Sequence, residues 1–293
     1  MIDCDFIETD VLVVGSGAAG IHAAIKAHDN GVNVLIINSG IRGKDSAVTW
    51  MAGGGFQCAF YPPDGPDVHT RDTIINGRFL SNQELVHAML KEAPGCIEDL
   101  ESWGEKFHKK SGRFVQYFLP GHTYARCLQR EKEKGVSNFG AEHHSVLPRQ
   151  IKAKGIPILE DFLAIELLKA DGRVVGAAGI DLKRGEFKII GAKVVILATS
   201  GYPACYKHYL TGPSVTGWGH GMAYRVGAEF IDMEFIDCYP YVAVWPRLSM
   251  VGDWAAYARY ALSGKFFNNM GFEFWESYKK KGLTRPQSIF KEV

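Results

Sequence analysis

The sequence lacks the patterns that mark several common classes of protein. Its six cysteines are scattered, none of them pair as C-x-x-C, and no cysteine–histidine cluster has the spacing of a metal site. We therefore expect no bound metal and no iron–sulfur ligation by a motif of this chain. Scattered cysteines without a secretion signal predict a reducing, cytoplasmic environment.

Charge imbalance and long apolar runs are missing as well. Lys and Arg number 33 against 32 Asp and Glu, so neither a nucleic-acid partner nor an acidic arm is predicted. No apolar run reaches the roughly 20 residues that a membrane-spanning helix needs. The first ten residues, MIDCDFIETD, resemble neither a signal peptide nor a twin-arginine leader. These features predict a cytoplasmic protein without a membrane span.

A glycine loop near the start of the chain carries the clearest functional signal. The run VLVVGSGAAG, residues 11–20, leads an apolar strand into Gly15-x-Gly17-x-x-Gly20 and then into a small-residue helix. Such glycines permit a tight turn, close approach of backbone to a pyrophosphate, and close packing of helix on strand. A second apolar strand, residues 33–37, completes a βαβ unit, so we expect a dinucleotide site rather than a merely structural turn.

One expected side chain of a simple NAD site is absent. A carboxylate usually follows the second strand and binds the ribose hydroxyls, but this chain has Asn38 and Ser39 there. Both side chains can bond a ribose, yet they do not support a simple NAD enzyme.

The remaining pattern predicts an α/β fold. Helices are expected within residues 67–106, with Ser81 as an N-cap, and over residues 138–154. Residues 160–198 read as a small antiparallel β meander that returns to a parallel, Rossmann-like sheet.

Five blocks in series resemble one superfamily. They are GSGAAG (15–20), DSAVTWMAGGG (45–55), ATSG (198–201), TGWGHGMAYRVGA (216–228) and DMEF (232–235). In this order they resemble the flavoprotein subunits of fumarate reductase and succinate dehydrogenase, to which L-aspartate oxidase is related. The resemblance runs from residue 8 to about residue 285, and it is specific for the superfamily but not for a substrate. It implies a glutathione-reductase-like FAD-binding domain over residues 1–238, followed by the start of an α+β capping domain over residues 239–293.

The resemblance implies FAD as the cofactor and a set of residues that hold it. These residues match the pyrophosphate loop, the ribose position, the loop along the isoalloxazine, the adenine contact and the second wall of the site. They are Gly15, Gly17, Ala18, Ala19, Gly20, Asn38, Ser39, Gly40, Ser46, Gly53, Gly54, Gly55, Ala164, Ala198, Thr199, Ser200 and Gly201.

Several positions depart from the family pattern. Ala47 stands where membrane-bound members carry the histidine that bonds covalently to the flavin, so non-covalent FAD is expected. Trp218 replaces an aspartate that the resemblance places near the flavin. Tyr239 replaces a histidine that binds a substrate carboxylate, and Glu273 stands where an arginine is usual. The replacement of that histidine by Tyr239 weakens the case for a C4 dicarboxylate substrate.

Three residues are candidates for catalysis. Arg285 lies about where the family carries the arginine that passes a proton to substrate while flavin N5 passes a hydride. His122, in a Gly-His-Thr loop, and His220, in the glycine-rich block, are candidates for positions near the flavin or substrate. Each also has an ordinary structural interpretation, as a surface arginine or a packed histidine.

The chain is about half as long as the family pattern implies. It is a fragment, a split enzyme whose second chain completes the FAD site, or a reduced form, and we expect one of the first two. The implied function is FAD-dependent oxidoreduction of a small carboxylated substrate, with electrons exchanged with an iron–sulfur or other electron-transfer subunit. Membrane association would come only through such partners. The alternatives are an amino acid oxidase of the L-aspartate oxidase type and a non-catalytic FAD-holding electron-transfer subunit.

Overall fold

The computed structural model describes residues 5–40, 48–49, 52, 55–119, 121–131, 139–209, 211–236, 265 and 267–273. These residues belong to two compact units, one within 1–52 and 138–237 and the other within 53–137 and 238–293. The expected domain boundary after residue 238 lies outside the described residues and stays a prediction.

The described residues form the following helices and strands. The helices are α1 (Ala18–Asp29), α2 (Pro66–Asn76), α3 (Gln83–Ser102), α4 (Phe139–Lys154) and α5 (Trp218–Arg225). The strands are β1 (Asp5–Val14), β2 (Val34–Ile37), β3 (Phe56–Gln57), β4 (Lys109–Lys110), β5 (Arg113–Phe114), β6 (Gln116–Tyr117), β7 (Cys127–Leu128), β8 (Ile158–Leu159), β9 (Phe162–Ala170), β10 (Arg173–Asp181) and β11 (Glu186–Leu197).

The first unit is built on a mixed sheet with the strand order β8-β2-β1-β11-β10-β9. The four strands from β8 to β11 in this order are parallel, and β10 and β9 add to them antiparallel. The predicted α/β fold with a parallel sheet and a β meander is confirmed. Because β1 and β2 are buried on both faces at their carboxyl ends, they read as unbroken apolar runs.

This unit has apolar core on both faces of its sheet, and one cluster of core side chains lies on the face that α5 covers. Apolar side chains from all the longer strands meet there with one residue of α5, and α1 and α4 pack against each other. The core side chains include those of Leu12, Val14, Leu35, Ile37, Phe162, Leu167, Ile190 and Met222. Burial of these side chains fixes the carboxyl ends of β1, β2 and β11 beside one another.

The second unit contains α2, α3 and small sheets. Its three-stranded sheet has the order β3-β7-β6, and β4 and β5 form a separate pair. The N-cap of α3 is Asn82, whose side chain accepts a bond from the Leu85 amide at 3.0 Å. The prediction of Ser81 was wrong by one residue, because both side chains can cap a helix and local pattern does not decide between them.

Little of the expected capping domain is described. Phe267 and Glu273 form an antiparallel bridge around a turn in which Gly271 has φ of 75°. The Asn268 side chain accepts bonds from the amides of Met270 and Phe272 at 3.0 Å each. The α+β character of residues 239–293 otherwise lies outside the described residues.

Candidate functional site

The glycine loop between β1 and α1 forms the floor of a pocket in the first unit. Gly15 has φ of 114°, and a Cβ there would lie 2.3 Å from the Ala198 carbonyl oxygen. A Cβ on Gly20 would lie 2.0 Å from the Gly15 oxygen. Neither position accepts a side chain, so the loop presents bare backbone to the pocket.

The first turn of α1 is suited to an anion. Gly17 is the N-cap without a side-chain cap bond, and the turn carries no acidic residue. The amide of Ala18 donates to the Thr49 hydroxyl at 3.1 Å. Free amides and the positive end of the helix dipole stabilise negative charge at such a position.

The carboxyl end of β2 supplies the polar side of the pocket. The Asn38 side-chain amide donates to the Gly40 oxygen at 2.8 Å, and Ser39 is exposed beside it. Backbone bonds from Asp161 to Gly40 and from Phe162 to Asn38, at 3.2 and 2.9 Å, join this segment to the start of β9. Asn38 and Ser39 are therefore held next to the apolar start of the meander.

The segment after β11 forms the opposite wall. The Ala198 amide donates to the Val14 oxygen at 2.8 Å, so the ends of β1 and β11 stay in register as they leave the sheet. Ser200 has φ of 65°, which is uncommon for a residue other than glycine. Such a conformation is typical of a turn held in place by its surroundings.

The start of β9 and the helix α5 also line the pocket. The Trp218 indole Nε1 donates to the Ala164 oxygen at 2.6 Å. The resemblance predicted a position for Trp218 near the flavin; the structure places it against Ala164, which the resemblance assigned to the adenine.

Together these segments enclose a pocket of about 350 Å³. This volume falls within the usual range for small-molecule sites. Its lining includes Val14, Gly15, Ser16, Gly17, Ile37, Asn38, Ser39, Val48, Thr49, Phe162, Leu163, Ala164, Ala198, Thr199, Ser200, Ser214, Val215, Thr216, Trp218 and Met222.

The predicted cofactor residues are only partly brought together by this pocket. Eight of them line it: Gly15, Gly17, Asn38, Ser39, Ala164, Ala198, Thr199 and Ser200. Ala18 and Gly201 directly adjoin these along the chain, Ala19 and Gly20 follow in the first turn of α1, and Gly40 follows Ser39. Gly55 belongs to the second unit, where a Cβ would lie 2.3 Å from the Leu128 oxygen. Ser46, Ala47, Gly53 and Gly54 lie outside the described residues.

Sequence reasoning missed several residues that line the pocket. Thr49 lies within the recognised DSAVTWMAGGG block, yet nothing in its type marked it as a partner of α1. Phe162, Leu163 and Met222 are apolar residues of the kind that fill any core, and only their packing shows that they also face a cavity.

His122 lies in the second unit within a buried polar cluster. Arg126 is fully buried and donates to both Asp64 carboxylate oxygens at 3.0 Å and to Asp72 at 2.7 Å. The rings of His69 and His122 approach each other edge to face, with centroids 6.4 Å apart. Within the described part of the chain, Nδ1 of each histidine has no hydrogen-bond partner.

The charges of this cluster set the protonation of its histidines. Burial, reinforced by the Arg126 guanidinium, lowers the pKa of His69 to about 4. The same two causes lower the pKa of His122. Burial opposes ionisation of Asp72, but bonds from Thr123 and Arg126 outweigh it and lower its pKa. The lowered pKa values favour neutral imidazoles at His69 and His122 beside an ionised Asp72.

His220 lies on α5 of the first unit but does not line the pocket. Its ring stacks on Phe230 at 6.1 Å and meets Tyr202 edge to face at 5.3 Å. Its Nδ1 has no hydrogen-bond partner among the described residues. Arg285 and Tyr239 lie outside those residues, so the catalytic roles of Arg285, His122 and His220 stay predictions.

Neither a metal cluster nor a membrane-spanning helix occurs in the part of the chain that the structure describes. No group of three or more His, Cys, Asp or Glu side chains there could hold a metal ion. No described helix is both long and apolar enough to cross a membrane.

Similarity to known proteins adds independent evidence. The sequence is 32% identical over 292 residues to one subunit of the CoM/CoB fumarate reductase of Methanothermobacter marburgensis, a match that covers 98% of this chain and 52% of that protein. It is 32% identical over 241 residues to L-aspartate oxidase of Streptomyces coelicolor, covering 80% of this chain and 40% of that protein. The chain thus spans about half or less of the length of these relatives.

Solved structures agree with the sequence comparison. Mycobacterium smegmatis Sdh1 is similar with a TM-score of 0.77 and 31% identity, over 83% of this chain and 42% of that one. An Escherichia coli quinol fumarate reductase shares the fold with a TM-score of 0.81 and 22% identity, over 99% of this chain and 48% of that one.

A family match covers most of the chain and agrees with the pocket. Residues 10–274 match the family described as FAD binding domain. The pocket fits FAD, which is a dinucleotide. Its glycine loop has no side chains at Gly15 and Gly20, the end of β2 is polar, and the start of β9 is apolar. The chain belongs to the FAD-binding domain family.

Proposed function

We propose that this chain holds FAD non-covalently and forms the flavin-binding part of an oxidoreductase of the fumarate reductase and succinate dehydrogenase type. Bound FAD would supply hydride exchange at flavin N5 with a small carboxylated substrate, and electrons would pass to or from a partner subunit. The single observation that carries the proposal is the pocket at the carboxyl ends of β1, β2 and β11, which is lined by the glycine loop.

The roles of the chain's own residues follow from their places around this pocket. The amides at the start of α1 would hold the pyrophosphate, because the Gly15 and Gly20 contacts keep side chains away from it. Asn38 and Ser39 would bond the ribose hydroxyls. The second wall, from Ala198 to Ser200, would exclude water from the opposite side.

Support for the reaction class comes from a relative. The protein of Methanothermobacter marburgensis named above belongs to a fumarate reductase, and it matches nearly the whole of this chain. The same proposal includes a partner, either an iron–sulfur protein or another electron-transfer protein, and a second polypeptide segment that completes the FAD site. It also includes the catalytic assignment of Arg285, with His122 and His220 as further candidates.

The cofactor part of the proposal is tested by a visible spectrum before and after acid precipitation. We expect flavin absorbance in the purified protein, moving wholly to the supernatant because Ala47 cannot link the flavin. Colour in the pellet would show covalent FAD, and a colourless protein that also fails to take up added FAD would refute binding.

A matched variant separates binding from folding. Gly17 has φ of −71° and its nearest Cβ contact would be an ordinary 3.5 Å, so Gly17→Asp should fold normally. Its carboxylate would repel the pyrophosphate, and we expect loss of flavin absorbance with an unchanged far-ultraviolet circular dichroism spectrum. Flavin retained at the wild-type level would contradict the assigned phosphate position.

A second candidate function is an amino acid oxidase. The similarity to L-aspartate oxidase of Streptomyces coelicolor favours it specifically. Anaerobic turnover of fumarate with a reduced viologen supports the first function, and peroxide formation with L-aspartate supports the second. A bound flavin that reduces and reoxidises without either turnover would instead indicate a non-catalytic electron-transfer protein.

A further inference from the structure

Trp218 lines the pocket beside the start of β9. It is the first residue of α5 and lines the pocket together with Phe162, Leu163 and Ala164 of β9. Its indole N–H bonds the Ala164 oxygen at 2.6 Å, yet Trp218 keeps 47% of its surface exposed. The ring is therefore anchored at one edge while much of it remains available for contact.

The position of this indole is fixed by the seating of α5. Gly217, with φ of 77°, begins the helix against Tyr202, and a Cβ on Gly219 would lie 1.8 Å from the Thr199 hydroxyl. Arg225 donates to the Ile165 oxygen at 2.8 Å and Lys169 to the Val226 oxygen at 2.8 Å. Bonds at both ends of α5 thus hold it along β9, the edge strand of the sheet.

The base of a bound dinucleotide belongs in this part of the pocket. In βαβ nucleotide sites the residue that follows β2 binds the ribose of the adenosine half. Here that segment is Asn38 and Ser39, and the Phe162 amide bonds the Asn38 oxygen at 2.9 Å. A purine attached to this ribose would lie beside the start of β9 and the Trp218 indole.

An edge strand offers unpaired backbone oxygens, which are natural acceptors for the 6-amino group of adenine. The Ala164 oxygen already accepts a hydrogen bond from the indole N–H, and the ring occupies the approach to this oxygen. What Trp218 offers a purine instead is an aromatic surface, and contacts between bases and aromatic side chains tolerate any base.

We infer that Trp218 replaces recognition of the adenine amino group with ring contact, so that the pocket binds the purine end of the dinucleotide without reading its 6-substituent. The inference rests on the proposed FAD site and deepens it. Its consequence is relaxed base selectivity: a flavin dinucleotide carrying hypoxanthine should bind as well as FAD.

Titration calorimetry on the flavin-free 293-residue chain tests the inference with FAD and with flavin hypoxanthine dinucleotide. The wild-type chain should bind both with dissociation constants within about twofold of each other. Trp218→Phe keeps an aromatic ring and frees the Ala164 oxygen, so FAD should then bind about threefold or more tighter than the analogue. Trp218→Ala removes the ring, and both ligands should weaken by about fivefold or more.

Trp103→Phe is the matched control, because Trp103 is the C-cap of α3 in the second unit. It should leave both dissociation constants unchanged. A wild-type preference for FAD of about tenfold or more would overturn the inference while leaving the FAD site standing. Equal binding of both ligands by Trp218→Phe would overturn it as well. If the wild-type chain bound neither ligand, the proposed function itself would fall.

Discussion

Gly15 and Gly20 show how closely the glycine loop is packed. A side chain on either would overlap backbone oxygens, at 2.3 Å from Ala198 and 2.0 Å from Gly15 respectively. Backbone cannot move aside as the tip of a flexible side chain can, so these positions require glycine. Gly17 differs, since its conformation is ordinary and a Cβ there would make only an ordinary 3.5 Å contact with the Thr49 hydroxyl. The three glycines of one motif therefore differ in the physical reason for which glycine occupies the position.

Gly20→Ala should destabilise the protein by roughly 1–3 kcal/mol, because its methyl group has to displace the Gly15 peptide. Urea unfolding measures the change. Gly95→Ala is the control: Gly95 lies within α3 with open space around it, so alanine should be neutral or stabilise by up to about 1 kcal/mol. Equal effects of both variants would contradict the packing argument.

His69 should make stability depend on pH. Its pKa falls from 6.5 to about 4 in the folded protein, first because of burial and then because of Arg126. The unfolded chain thus binds the proton more readily, and the stability is complete above about pH 6.5 and is lost as the pH falls towards 4.

We expect the wild-type protein to lose roughly 3 kcal/mol relative to His69→Gln over that pH interval. Denaturant unfolding of both proteins at several pH values measures the difference. Curves that stay parallel would show that His69 is not held neutral in the folded state.

The α5 helix illustrates how a short element is positioned by what its backbone touches. It has only eight residues, and its three glycines before and within the first turns face different surroundings. Gly219 packs on Thr199 of the pocket wall, whereas the nearest atom to a Cβ on Gly221 would be the Arg225 guanidinium at 3.5 Å. Close approach at Gly219 is what brings Trp218 to β9.

Gly219→Ala should lower the unfolding free energy by roughly 1–3 kcal/mol, because its Cβ would lie 1.8 Å from Oγ1 and 2.7 Å from Cβ of Thr199. Gly221→Ala, two residues along the same helix, has room and should be neutral or stabilising. Thermal unfolding of the two variants gives the comparison. If Gly221→Ala were the more damaging, the seating of α5 described above would be wrong.

The two units of the chain differ in what they contribute to the proposed cofactor site. The lining of the described pocket comes from the first unit alone. The positions of Asn38 and the glycine loop indicate that this pocket holds the adenosine and pyrophosphate half of the dinucleotide. A ligand that contains this half should therefore stabilise the folded protein more than a ligand that lacks it.

FAD at about 100 times its dissociation constant should raise the melting temperature by about 5 °C or more. FMN at the same concentration, which lacks the adenosine half, should raise it by less than half as much. Gly17→Asp should respond to neither. A shift with FMN equal to that with FAD would show that the described pocket does not hold the adenosine half.

The βαβ unit, the helices within residues 67–106 and 138–154, and the β meander could all be predicted from the sequence. Each of these depends on contacts between near neighbours along the chain, and the periodicity of apolar residues and the positions of glycine record them directly. The family resemblance added FAD and four of the predicted residues that line the pocket, Ala164, Ala198, Thr199 and Ser200. Where two local choices were equally good, as at Ser81 and Asn82, the pattern of residues could not decide.

The places of Trp218 and His122 depend instead on how distant segments pack. Trp218 meets Ala164 across 54 positions of sequence, because α5 packs along the edge strand β9. His122 lies near His69, Asp72 and Arg126 in the second unit, although the spacing of these residues along the chain does not indicate a cluster. Contacts of this kind form only when whole elements come together, and no local pattern of residue types encodes that packing.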